Sequence, residues 1–185
     1  MDKQEQGNAP LTSFFSKWVG RTFEDLQLQE YTIANYLTEL LTRFARTESL
    51  YRIKNLQGKP IHTVVEMMIE ADRHAHPSEP GFDPFNEREI MKHVGDYTLF
   101  MTGIFREYVE RLGVMDFYRR EGERSYYEVY EFDKMLLRPK YEIFMNLFRA
   151  FEMYSGTLHY MKKVYFRPEL HSGSYRTMME QLSHW

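Results

Sequence analysis

The chain predicts an all-α fold: a single-domain helical bundle of about six or seven helices around a central helix at about residues 86–112. Three observations carry this. Phe85 to Leu112 is the longest run that reads without interruption as one helix. Its apolar residues, among them Ile90, Met91, Val94, Tyr97, Phe100, Ile104 and Val109, span an arc too broad for a half-exposed helix, so other helices should touch it on several sides. The 7 Pro and 10 Gly in 185 residues are few and sit at apparent boundaries. No stretch alternates as a strand does, and there is neither a fixed-period repeat nor a low-complexity tract. That length buries one core well and is short for two, so a single domain is expected over 10–185 behind a disordered leader at 1–9.

Taken in order, Pro10 to Val19 reads as a short helix ending near Gly20. From Leu28 to Arg46, the spacing of Tyr31, Ile33, Leu37, Leu40, Leu41 and Phe44 is strongly amphipathic. Thr47 to Gly58 is a connector with one apolar turn. Pro60 is placed to open the next helix, where its missing N–H costs nothing; Ile61, Val64, Val65, Met68 and Ile69 form its expected buried stripe. His74 to Pro84, with three prolines and a glycine, is an irregular loop. Asn86 and Glu89 are the expected cap of the central helix, which Gly113 ends. Met115 to Leu137 resumes, with a break or kink at Gly122. Pro139 opens another helix, Ser155-Gly156 bends or breaks it, and the tail adds a weak helix around residues 175–182.

Composition narrows function by exclusion. Aromatic residues make up 16%, with 14 Tyr and 14 Phe, and the formal net charge is −3. That balance gives no general attraction to nucleic acid or anionic lipid. The absence of cysteine excludes disulfides, thiolate nucleophiles and thiolate-held metals. The polar N-terminus lacks the apolar core of a signal peptide and no stretch is a membrane span, so a cytoplasmic protein is expected.

Several polar groups merit attention. Glu89, His93 and Asp96 share one side of the central helix, and an imidazole held by a carboxylate is what a metal ligand or general base needs. The preceding helix offers His62, Glu66 and Glu70; antiparallel packing would bring Glu66 level with His93, and His62 level with Asp96. The Glu-x-x-His spacing of di-iron bundles is missing, and a histidine satisfied by one acid is the commoner arrangement. His93, Glu66 and Asp96 are thus the metal candidates, followed by His74 and His76, which alternate in a loop beside Asp72. No catalytic residue is assigned. Gly95, Thr98 and Thr102 form a small-residue strip suited to close helix packing. Basic residues between Arg138 and Arg167 mix with aromatics as in nucleic-acid readers, but the rings follow a core stripe, so a solvated basic face is the expected account.

The run Gly95-Asp96-Tyr97-Thr98-Leu99-Phe100-Met101-Thr102-Gly103-Ile104-Phe105, then Asp116-Phe117-Tyr118 and Ser125-Tyr126, resembles a pattern in a family of small all-helical bacterial proteins with no assigned function. The resemblance covers roughly the middle third of the chain. It implies a bacterial source and a shared helical domain, draws attention to Asp96 and the Gly95/Gly103 pair, and carries no site residues.

The favoured function is a non-enzymatic helical interaction or regulatory protein acting as a homo-oligomer, with no cofactor. Its support is an excess of aromatic residues and Met (12) over what so small a core needs. One alternative is a binder of a small apolar or planar ligand in an aromatic- and Met-lined cavity, with His93 as its polar contact. The other is an enzyme using a divalent transition metal on His62, Glu66, Glu89, His93 and Asp96.

Overall fold

The computed structural model describes the backbone of residues 3–166 apart from 56 and 79. Among these the chain is all-α, with nine helices and no strand. They are α1 (Lys3–Asp25), α2 (Tyr31–Phe44), α3 (Thr47–Leu50), α4 (Val64–Ala75), α5 (Pro84–Ile104), α6 (Arg106–Arg111), α7 (Met115–Met135), α8 (Glu142–Arg149) and α9 (Phe151–Tyr165). No helix is long and apolar enough to cross a membrane. The weak helix expected around residues 175–182 lies outside the described residues.

The described residues group into two compact units, residues 3–50 with 156–166, and residues 51–155. The sequence marks neither junction: one falls in a connector and the other inside the continuous helix α9. In the first unit α1 packs on α2, and Phe14 and Phe15 meet Phe166 at ring distances of 5.8 and 6.1 Å. α1 is longer than expected at both ends. It begins at Lys3, within the stretch expected to be a disordered leader, and runs through Pro10 and Gly20 to Asp25. Gln4, Glu5 and Gln6 are good helix formers, and a single glycine inside a helix costs only about 1 kcal/mol.

The second unit is built on α5, which packs against α4 and α7, while α7 also packs against α8. From Ile90 to Ile104 every α5 residue except Lys92 and Met101 is buried, so the helix is covered around its circumference. Asp83, not Asn86, caps it: its carboxylate accepts from the Phe85 and Asn86 N–H groups, both at 3.1 Å, with Pro84 in the first turn. The rod expected to reach Leu112 stops at Phe105, whose φ of −109° and ψ of 31° leave the helical range; its carbonyl accepts from the Tyr108 and Val109 N–H groups and so starts α6. No Gly or Pro marks this break, so hydrophobic periodicity runs straight through it. Ala150 separates α8 from α9 in the same way, and with the short α3 these breaks raise the helix count above six or seven.

Pro60 does not open a helix. It pairs with Lys54 in an isolated antiparallel bridge closed by a turn at Gly58, whose φ is 74°. Helix α4 starts later, at Val64, because Thr63 accepts from the Glu66 N–H and in turn donates to the Glu66 carboxylate. Its buried face is Val64, Met67, Glu70 and Ala71. Val65 and Ile69, expected inside, are 53% and 54% exposed.

Helices α7 and α9 run unbroken through Gly122 and Gly156. A Cβ on Gly122 would lie 2.5 Å from the Phe151 ring and would also strike the Thr98 hydroxyl, whereas nothing lies within 4 Å of one on Gly156. Helix α7 ends in a Schellman motif: Arg138 N–H reaches the Asp133 carbonyl and Leu137 N–H the Lys134 carbonyl, at 2.9 and 3.1 Å. The left-handed residue there is Leu137, φ 50°, where glycine is the usual occupant.

The two glycines give substitutions of opposite sign. Gly122→Ala is expected to cost about 1–3 kcal/mol through overpacking, and Gly156→Ala to gain about 0.5–1 kcal/mol from helix propensity. Urea unfolding of both variants checks the pair; equal effects would mean that Thr98 and Phe151 do not seat against Gly122.

Candidate functional site

His93 is fully buried, and one of its partners is a cation. Arg52, from the connector before α4, donates its Nε–H to His93 Nδ1 at 3.1 Å and its Nη2–H to the Glu89 carbonyl at 3.2 Å. The Glu89 carboxylate lies 3.7 Å from the same guanidinium. A ring nitrogen that accepts from Arg52 holds no proton of its own, so the imidazole hydrogen sits on Nε2. Arg52 thus links Glu89 to the histidine.

Asp96, 1% exposed, has separate partners. Its Oδ2 accepts from Lys92 Nζ at 2.7 Å and its Oδ1 from the Tyr126 hydroxyl at 2.9 Å. The pairing links consecutive turns of α5 to α7. Tyr126 also fills the space left by Gly95, where a Cβ would lie 2.8 Å from its ring. The Gly95, Thr98 and Thr102 strip is therefore where α7 comes close, and its hydroxyls donate back to α5 carbonyls, Thr98 to Val94 and Thr102 to Thr98, each at 2.8 Å.

The remaining candidates are dispersed. Glu66 is exposed in its capping box, and His62 is exposed with its ring 4.5 Å from Tyr51. His74 closes the loop, its Nδ1–H donating to the Gly81 carbonyl at 2.6 Å while Asn86 Nδ2 donates to its Nε2 at 2.9 Å. His76 pairs with Asp72 at 3.4 Å on the surface. Among the described residues no group of three or more His, Asp or Glu side chains gathers that could hold a metal ion. Phenols surround His93 instead: Tyr97 lies 6.4 Å away and Tyr118 lies 6.3 Å from Tyr97. Burial pushes Tyr51, Tyr97 and Tyr118 above the ordinary phenol value, so they stay neutral.

A second feature is open to solvent. Between α4, α5 and α7 runs a cleft of about 710 Å³, floored by Val65, Met68, Ile69, Met91, Phe117 and Tyr127. His93 is not among its lining residues, so the apolar cavity and the imidazole expected together are separate. The rim carries Asp72, Glu87, Glu121, Glu128 and Glu131 against one cation, Arg124, which already bonds Glu128 at 2.7 Å. Glu87 registers the crowding: partial burial first, then the charges of Glu128 and Asp72, raise it above its ordinary value of 4.5.

Sequence reading missed Arg52, which lies in a connector with no periodicity, and missed Lys92 and Tyr126 as the partners of Asp96. The acidic rim had a signal, since Glu121, Arg124, Glu128 and Glu131 recur at helical spacing along α7. No protein-family model, curated protein or solved structure matches this chain. The resemblance to small bacterial helical proteins transfers no role to any of these residues.

The buried pair carries a stability prediction. Asp96→Ala leaves Lys92 and the Tyr126 hydroxyl without their acceptor and is expected to cost about 3 kcal/mol. Glu66→Ala, on the surface, is expected to cost less than about 1 kcal/mol. Chemical denaturation of the two variants side by side measures the difference.

Proposed function

We propose that this chain is a non-enzymatic interaction protein whose docking face is the α4–α5–α7 cleft, and that the cleft takes an apolar segment bearing lysine or arginine. The observation that carries the reading is the cleft's composition. Val65 and Ile69 are more than half exposed on the cleft floor, and the surrounding carboxylates outnumber their single cation. Apolar side chains on the partner would dry the floor, and its cations would relieve the repulsion on the rim. Catalysis is the weaker reading. The buried imidazole is held by a guanidinium and the buried carboxylate by Lys92 and Tyr126, so neither is presented to a substrate.

The test uses a fluorescent amphipathic helical peptide with leucines on one face and lysines on the other, its binding read by anisotropy. Binding is expected to weaken at least tenfold in Ile69→Asp, a surface change that leaves the fold intact, and a glutamate-for-lysine peptide is expected not to bind. No binding by the parent protein, or equal binding by Ile69→Asp, would remove the proposal. Glu87→Gln gives a second readout. A carboxylate whose folded value is raised stabilises the fold only when protonated, fully below its unfolded value near 4.5 and no longer once pH passes the raised one. Glu87→Gln is therefore expected to raise the melting temperature at pH 7, with the gain shrinking as pH falls towards 4.5, while weakening the lysine peptide.

A further inference from the structure

We infer that the occupant of the cleft is a second copy of this chain, inserting the turn that follows α7, in a two-fold dimer built on antiparallel α7 helices. The inference rests on the cleft being a docking face and adds the identity of its partner.

The turn has the chemistry the cleft asks for. Met135, Leu136 and Leu137 are 72%, 45% and 84% exposed, and Lys134, Arg138 and Lys140 flank them. Leu137 is held out in the left-handed region where glycine would be relaxed. Apolar floor with acidic rim and apolar tip with basic flanks are complementary surfaces, and each copy carries both.

The symmetry follows from where the two lie. Glu121, Arg124, Glu128, Glu131 and Met135 recur at spacings of three and four, so they form one stripe along α7. Cleft residues occupy most of this stripe and the exposed tip continues it. Charge is unevenly placed: Glu121, Glu128 and Glu131 come first, with Arg124 among them bonded to Glu128, and the Lys134 and Lys140 cations follow, while Arg138 is paired with Asp133. Two such helices side by side in parallel would set acid beside acid. Antiparallel, each basic end meets the other's acidic stretch, and one two-fold axis satisfies both contacts and closes the assembly. An anionic membrane is the less suited occupant for the tip, because the acidic stretch of the same helix would face it.

The experiment measures mass by light scattering and sedimentation over a range of concentrations of the full chain. A dimer is expected. Leu137→Gly, which relaxes the left-handed backbone and so keeps the chain folded, is expected to raise the dissociation constant at least tenfold. The decisive arm uses two charge-swapped chains, Lys134→Glu with Lys140→Glu, and Glu121→Lys with Glu131→Lys. Each alone matches like charges and is expected to be monomeric; mixed, they are expected to pair one to one. A parent chain that stays monomeric, a dimer indifferent to Leu137→Gly, or swapped chains that fail to pair would overturn the inference. So would a monomer that sediments with anionic vesicles through Leu137. If the parent chain is monomeric yet still binds the lysine peptide, the cleft reading survives and only the second copy is lost; if it does not bind the peptide either, both fall.

Discussion

The contact between α5 and α7 is the constraint on which the second unit depends. α5 is covered on all sides, and its polar groups must find partners inside the protein because water cannot reach them. Asp96 does so by taking one hydrogen bond from its own helix, through Lys92, and one from α7, through Tyr126. The second bond requires α7 to come close. Gly95 admits the Tyr126 ring, and Gly122 lets Thr98 and Phe151 approach the α7 backbone. Near the start of α5 Arg88 repeats the pattern, donating to both oxygens of the buried Asp133 on α7 at 3.0 and 2.5 Å. A buried ion pair contributes little net stability over an apolar pair, but it penalises every packing in which the partners miss each other. The Arg88–Asp133 ion pair and the Tyr126–Asp96 hydrogen bond, at different points along α5, set the register of α7.

The same logic assigns His93. An imidazole beside a carboxylate is tuned towards basicity, whereas one that accepts from a guanidinium has committed a lone pair to a cation. Arg52 uses both His93 and the Glu89 carbonyl to tie the connector to α5. The arrangement anchors the irregular segment between α3 and α4 on the best-packed helix of the unit. The phenol of Tyr97, beside His93, and that of Tyr118, beside Tyr97, stay neutral through burial.

How much of this was legible depends on which physical signal each feature leaves in the sequence. Burial leaves periodicity, so α2, α5 and α7 and the all-α class could be read from Leu37, Val94, Val129 and their neighbours. Breaks at Phe105 and Ala150 leave none, since backbone torsion rather than Gly or Pro makes them. Gly122 and Gly156 misled in the opposite direction: one is present for close approach and the other stands in open space, and sequence shows both only as helix breakers. Partners distant in sequence, Arg52 for His93 and Tyr126 for Asp96, are set by tertiary packing and have no local signature.

Helix α4 shows the deepest ambiguity. It is apolar on two sides, one through Val64, Met67 and Ala71 and the other through Val65, Met68 and Ile69. Periodicity alone cannot say which side the fold covers. Glu70 decides it: with Arg73 near its carboxylate at 3.3 Å, that acid can enter the buried face, which carries Val64, Met67 and Ala71 in and turns Val65 and Ile69 out. The excess of apolar side chains over what this core can hold is therefore not spread evenly over the surface. Part of it lines a cleft, and part stands at the end of α7 on a leucine whose backbone is strained to hold it there. Folding alone gives no reason for either, and the opposite charges around them supply the reason that they would meet.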